Sequence, residues 1–292
     1  MTPNTVTLLD GGMGKTLEAN GAPFRQPEWS ALALIESPAH VSEAHAQFVA
    51  AGADIITTNN YAIVPFHIGL ARFEAEGEAL TESSALLARE AAGPSTRVAG
   101  SIPPLYGSYE PERFNADTAP AHLRLITDTL APHIDLFLCE TQSSTQEAAA
   151  SLAAASPHGL PMWVSFTLDD DSADEPLLRS GESIEAAIAV ANKGGAEAIL
   201  FNCSQPEVLS KAVPSAVSLA GDLSVGVYAN SFVPKPEQYA ANEVVLDHRA
   251  DLDPAGYLDF VSRWVEAGAT IVGGCCGIMP DHIAAMRTYL SS

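Results

Sequence analysis

Residues 198–229 read AILFNCSQPEVLSKAVPSAVSLAGDLSVGVYA. Ala198-Asn202 is a short aliphatic run ending in a polar side chain, Gln205-Leu219 carries apolar residues at helical spacing, and Ser224-Ala229 is a second strand-like run. A helix between two strands brings the chain back to where the first strand began, so the two strands lie parallel.

The same unit recurs in both directions. Further strand-like runs are Val6-Leu9, Ile55-Thr58, Val98-Ile102, Leu136-Glu140, Met162-Thr167 and Thr270-Gly273. Helical periodicity fills the intervals at Val41-Ala51, Gly77-Ala92, Ala119-Ala131, Ser144-Ala154, Ser183-Asn192 and Pro254-Ala267, and Pro280-Leu290 closes the chain. Strict alternation repeated eight times in 292 residues predicts a (β/α)8 TIM barrel, an α/β fold forming a single domain over residues 1-292. A doubly wound open sheet is the alternative. Three helices end in the same way before the next strand, at Ala51-Gly52-Ala53-Asp54, Lys193-Gly194-Gly195-Ala196 and Ala267-Gly268-Ala269-Thr270, where glycine supplies a left-handed cap.

In such a barrel the loops after the strands carry the site. Two of these are long, Tyr61-Glu76 and the proline-bearing Ile102-Thr118, and Phe232-Ala250 lies on the same rim. The first two are expected to wall a substrate pocket.

Composition narrows the partners. The chain is 47% hydrophobic with no low-complexity tract, and its formal charge is -22 from 36 acidic and 14 basic residues. A nucleic acid or an anionic membrane requires a basic footprint, so small-molecule substrates are expected instead, and the acidic surface serves solubility. The N-terminus MTPNTVTLLD has neither a basic start nor an apolar stretch typical of a signal peptide, and no later run is long enough for a membrane span, so a cytoplasmic location is expected.

Four cysteines in this length do not make a disulfide scaffold, and reduced thiols are expected. Three of them fall at strand ends: Cys203 after the sixth, Cys275 and Cys276 after the eighth, in Gly273-Gly274-Cys275-Cys276-Gly277. Cys139 lies inside the fourth strand, where a packed core thiol is expected. Three thiolates suit Zn2+, which prefers sulfur in tetrahedral geometry and keeps a fourth position open when it is catalytic. Small buried cysteines of no function would give the same composition; the shared placement on one rim favours the metal.

Asp10-Gly11-Gly12-Met13-Gly14, Ala51-Gly52-Ala53-Asp54 running on to Thr57-Thr58-Asn59, Glu140-Thr141, Phe201-Asn202-Cys203 and Gly273-Gly274-Cys275-Cys276-Gly277 occur in the order and over the span that resemble the homocysteine S-methyltransferase family. The resemblance implies a zinc-dependent barrel enzyme that methylates homocysteine to methionine, with Cys203, Cys275 and Cys276 as metal ligands and catalytic residues. It further implies that Asp10 and Glu140 hold the substrate ammonium group. Asn59, Asn202 and Ser165 are candidate substrate contacts. The expected donor is a methyl-onium compound, S-methylmethionine or S-adenosylmethionine. Betaine is less favoured, because the chain ends soon after the eighth strand. A zinc hydrolase or lyase on the same barrel, or a zinc-binding protein without catalysis, remains an alternative. Tyr106, Tyr109 and Phe114 in the third loop are candidates for cation-π contact with the donor.

Other signals are set aside. Asp10-Gly11-Gly12-Met13-Gly14-Lys15-Thr16 looks like a phosphate loop, but Leu9 stands where GxxxxGK[ST] needs its first glycine. Lys15 departs from the family pattern and is expected to face solvent, Ile278 stands where the family pattern has threonine, and Asp169-Asp170-Asp171 reads as a solvated acidic loop. No paired histidine spacing appears around His45 or His248.

Overall fold

The structure is a computed structural model and describes residues 6–172, 175–233 and 247–292. Eight strands form one parallel sheet: β1 Thr7–Leu8, β2 Ile55–Thr57, β3 Arg97–Ile102, β4 Leu136–Gln142, β5 Met162–Phe166, β6 Ala198–Asn202, β7 Ser224–Tyr228 and β8 Ile271–Val272. From β2 to β8 each pairs with the next in sequence, and β1 pairs with β8. A parallel bridge between Leu9 and Ile55 closes the remaining gap between β1 and β2. The sheet is therefore a barrel and not an open doubly wound sheet.

Eleven α-helices lie among the described residues. Eight form the outer ring: α3 Pro38–Ala50, α5 Leu70–Ala92, α6 Ala119–Leu130, α7 Thr145–Ala155, α8 Ile184–Gly194, α9 Pro206–Leu219, α10 Pro254–Glu266 and α11 Pro280–Leu290. Each touches the next around the ring, and α11 returns to α3. The other three sit on the rim: α1 Met13–Ala19 and α2 Ser30–Glu36 after β1, and α4 Pro65–Ile68 after β2. Among the described residues no helix is long and apolar enough to cross a membrane.

Alternation along the strands divides the apolar residues into two cores. In β6, Ala198 and Leu200 join Leu9, Ile55, Leu138, Trp163 and Ile271 inside the barrel, while Ile199 and Phe201 pack outward against the helices. Filled in this way, the interior is a packed plug with the loops after the strands above it.

The expected loop Tyr61-Glu76 is largely helical, comprising α4 and the first two turns of α5. Its periodicity is hard to see because over the first two turns of α5, before Gly77, Phe73 is the one buried residue. Of Phe232-Ala250, residues 234–246 lie outside the described residues. The two ends meet, Phe232 bridging His248 in antiparallel fashion.

Candidate active site

The rim cavity is lined by the three expected cysteines and the two expected carboxylates, and Cys203 and Glu140 are aimed by backbone that departs from regular strand. Cys203, immediately after β6, adopts φ 50°. This left-handed conformation is costly outside glycine and concentrates at functional sites. Thr141 (φ 58°) does the same on β4. The β4–β5 register shifts between Cys139 and Gln142, and this bulge turns Glu140 into the cavity wall.

The loop after β8 is pinned on both sides. Cys275 donates its N–H to Ala229 O (2.9 Å), Ser231 N–H donates to Cys276 O (2.9 Å), and Ile278 N–H returns to Cys275 O (3.1 Å). Gly12 lies under this loop. A Cβ there would stand 2.7 Å from the Cys275 carbonyl oxygen and 2.8 Å from the Gly277 nitrogen, so the start of α1 touches the cysteine pair only because residue 12 has no side chain.

The Sγ atoms of Cys203, Cys275 and Cys276 all lie within 4.8 Å of one another, and Cys203 and Cys276 are 4.0 Å apart. Tetrahedral zinc with Zn–S bonds of about 2.3 Å sets its sulfur ligands about 3.8 Å apart, so the donor set fits such an ion, as does the Cys203–Cys276 separation. Burial and the Glu140 carboxylate push the Cys276 thiol up to about 12. A thiolate at this position therefore needs a cation beside it.

Cys203 and Cys275 are joined as a disulfide, with Cα atoms 5.7 Å apart, which corrects the expectation of three reduced thiols. The same convergence that lets three sulfurs share one ion lets two of them bond to each other. Cys276 and the buried Cys139 remain free, the latter a core thiol as expected. A thiol titration of the unfolded chain is expected to find two reactive groups in this oxidised form and four after reduction. Metal uptake should appear only in the second. Metal binding by the oxidised protein would contradict the shared use of these sulfurs.

Asp10 is buried directly after β1. Its carboxylate accepts the Thr57 N–H (2.7 Å) and the Thr57 hydroxyl (3.2 Å), which fixes its orientation. Glu140 accepts the Ser101 hydroxyl. Burial pushes both carboxyls up to about 7, and for Asp10 the neighbouring Glu140 adds to the rise. Two such carboxyls in one cavity can each accept hydrogen bonds from a cationic group.

The remaining candidates separate into two layers. Asn59 is in the cavity wall and donates to Ser30 O (3.2 Å). Asn202 and Ser165 are fully buried behind the wall. Asn202 Oδ1 accepts from Thr141 N–H (3.1 Å) and Ser165 Oγ (2.7 Å), while its Nδ2 donates to Thr141 Oγ1 (2.8 Å) and comes within 4.0 Å of Cys275 Sγ. These bonds tie the ends of β4, β5 and β6 together beneath the site.

Several cavity residues carry no signal at the level of sequence. Tyr228, at the end of β7, lines the cavity with a buried hydroxyl that burial, and then the Glu140 charge, keep protonated. Phe24, Trp29, Tyr61, Phe66 and Phe232 supply most of the aromatic wall. Of the three third-loop aromatics only Tyr109 reaches the cavity, and the Arg179 guanidinium lies over its ring at 4.4 Å. Tyr106 instead packs edge-on against Phe114 and bonds Thr118.

Two surface expectations are also corrected. Lys15 is not solvent-facing: its side chain is 16% exposed and lies in the cavity wall. Asp170 is not merely solvated, since it accepts the Gln205 N–H at the start of α9 (2.7 Å) and pairs with Arg179 (2.9 Å). No metal cluster other than the three cysteines occurs among the described residues.

The sequence profile of the family described as homocysteine S-methyltransferase matches residues 7–290. The chain belongs to the homocysteine S-methyltransferase family. It is 32% identical to the homocysteine S-methyltransferase of Escherichia coli (strain K12), covering 97% of this chain and 94% of that protein. It is 29% identical to homocysteine S-methyltransferase 1 of Arabidopsis thaliana, over 97% and 93%. Among solved structures, the homocysteine methyltransferase MmuM from Escherichia coli in its metallated form superposes with a TM-score of 0.80 at 28% identity, over 98% of this chain and 96% of that one. The protein is thus a (β/α)8 methyltransferase, which removes the hydrolase, lyase and non-catalytic alternatives.

Proposed function

We propose that this homocysteine S-methyltransferase is zinc-dependent, takes its methyl group from a sulfonium donor, S-methylmethionine or S-adenosylmethionine, and yields methionine. The observation that carries this reading is the meeting of three convergent sulfurs and two cation-seeking carboxylates in one cavity.

Cys203, Cys275 and Cys276 would hold the ion, which when bound supplies the charge that keeps a substrate thiol ionised near neutral pH. Asp10 and Glu140 accept hydrogen bonds from the substrate ammonium, fixing one end of the amino acid while its sulfur reaches the cysteine side. Asn59 closes the wall between them. Asn202 and Ser165 hold Thr141, and with it the Glu140 bulge, in register with Cys275. The aromatic wall excludes water and presents ring faces to a cationic donor. The substrate sulfur forms its new bond to the methyl carbon as the carbon–sulfonium bond breaks. The bonding pair stays on the departing sulfur, which leaves as a neutral thioether. No general base is needed at this step. Because three thiols must stay reduced, we place the enzyme in the cytoplasm.

The test is direct. Reduced, zinc-loaded protein is expected to form methionine from homocysteine with at least one of the two sulfonium compounds. Full zinc occupancy without methionine from either would overturn the donor assignment, and turnover with betaine alone would replace it.

A further inference from the structure

The geometry points to Lys15 as a specificity-determining residue that binds the carboxylate of the methyl donor, so that this enzyme selects sulfonium compounds bearing a carboxylate over those without one. This rests on the sulfonium reading of the donor given above.

Four observations carry it. First, Lys15 is the one Lys or Arg in the cavity wall among the described residues. Second, it stands on the first turn of α1, which is fastened against the cysteine pair: Gly12 N–H donates to Ile278 O (2.7 Å) and Thr16 Oγ1 to Gly12 O (3.0 Å). The backbone that carries Lys15 is therefore held beside the loop of Cys275 and Cys276. Third, Lys15 also borders the adjoining surface cleft lined by His248 and Met279, so it occupies the rim. Asp10, by contrast, is buried at the end of β1.

Fourth, its present partner is replaceable. Lys15 Nζ contacts Glu18 Oε2 at 2.7 Å, but the Glu18 side chain is 47% exposed. A pair of that kind contributes little and is given up readily to a carboxylate held in a partly desolvated cavity. The buried Asp10, assigned to the acceptor's ammonium, is thus set apart from Lys15, which the cavity shares with the surface cleft. A donor delivering its methyl group to a sulfur already in the cavity enters from the rim and places its own head group there.

The experiment compares wild type with Lys15→Met, which keeps the length and removes the charge, using S-methylmethionine and its carboxamide as donors. Wild type is expected to prefer the carboxylate in kcat/KM by about 10-fold to 100-fold, the usual effect of a charge-assisted hydrogen bond. In Lys15→Met the preference should fall close to one, through KM for the donor, while KM for homocysteine stays within about 2-fold. Preserved discrimination overturns the proposal, and so does a rise in homocysteine KM alone, which would assign Lys15 to the acceptor. Calorimetric binding of S-methylmethionine decides the same point without turnover. At least 10-fold weaker binding to the variant supports the proposal; equal binding, or none to wild type, overturns it. Failure of wild type to make methionine while it binds S-methylmethionine would count against the functional reading and leave the Lys15 comparison decisive.

Discussion

In Cys276→Ser, zinc binding and methionine formation are expected to fall together while the barrel still folds. Cys276 is the informative choice because it is the member of the trio outside the disulfide, so its replacement leaves the oxidised cross-link between Cys203 and Cys275 unchanged. Serine keeps the size of the side chain but offers a hydroxyl that does not ionise in this range. The ion would be left with two thiolates that have an alternative use in bonding to each other. Losing an outer-shell partner of a metal ligand commonly costs 10-fold to 100-fold, so losing a ligand itself is expected to exceed about 100-fold in both metal affinity and kcat/KM. Metal content of the purified reduced protein, steady-state rates and a thermal melt give the three readings. Activity that survives in metal-free Cys276→Ser would sink the zinc assignment, and loss of the cooperative melt would make the cysteine structural.

How much of this was legible in the sequence follows from which residues speak for themselves. The strands were legible because aliphatic runs such as Ala198-Asn202 alternate with helices long enough to show a period, and the cysteine trio because two adjacent cysteines follow glycine at a strand end. The front of α5 was hidden, since Phe73 is its one buried residue before Gly77 and a single apolar position shows no period. So were α1 and α2, each seven residues long and without a side-chain cap. Within the site, residue type announced Asp10 and Glu140, but not what orients them: a backbone N–H from Thr57 for one, a bulge in β4 for the other. Asn202 reads as a candidate substrate contact from its place beside Cys203. That its polar atoms are taken up by Thr141 and Ser165 depends on three strands being side by side. Lys15 could be judged only once α1 was seen packed on the cysteine loop, because nothing local distinguishes a lysine in a wall from one in solvent.

Asp10→Asn is expected to weaken homocysteine binding by about 10-fold to 100-fold and, in the absence of substrate, to stabilise the protein at alkaline pH. The two effects have one cause. Asp10 and Glu140 are carboxyls whose burial pushes them up to about 7, against ordinary values of 3.8 and 4.5. Below about pH 4 both are protonated whether the chain is folded or unfolded, so they add no pH dependence. Between about 4 and 7 the unfolded chain gives up these protons while the folded chain keeps them, and stability falls as pH rises. Above about 7 both states are ionised and the loss, of order a few kcal/mol, is complete. An ammonium ion between the carboxylates reverses this by pairing with the charged forms, so homocysteine should bind more tightly as pH climbs through 7. Asparagine at position 10 keeps an oxygen for the Thr57 N–H but carries no charge. The melting temperature of the variant should therefore gain on that of wild type from pH 5 to pH 8, and the variant should show a shallower pH dependence of homocysteine KM. The proton lost by the substrate thiol contributes equally to both proteins and cancels in the comparison. An unchanged homocysteine KM would remove Asp10 from the ammonium site. A melting temperature that drops equally at both pH values would show that its bonds to Thr57, and not its charge, are what the fold requires.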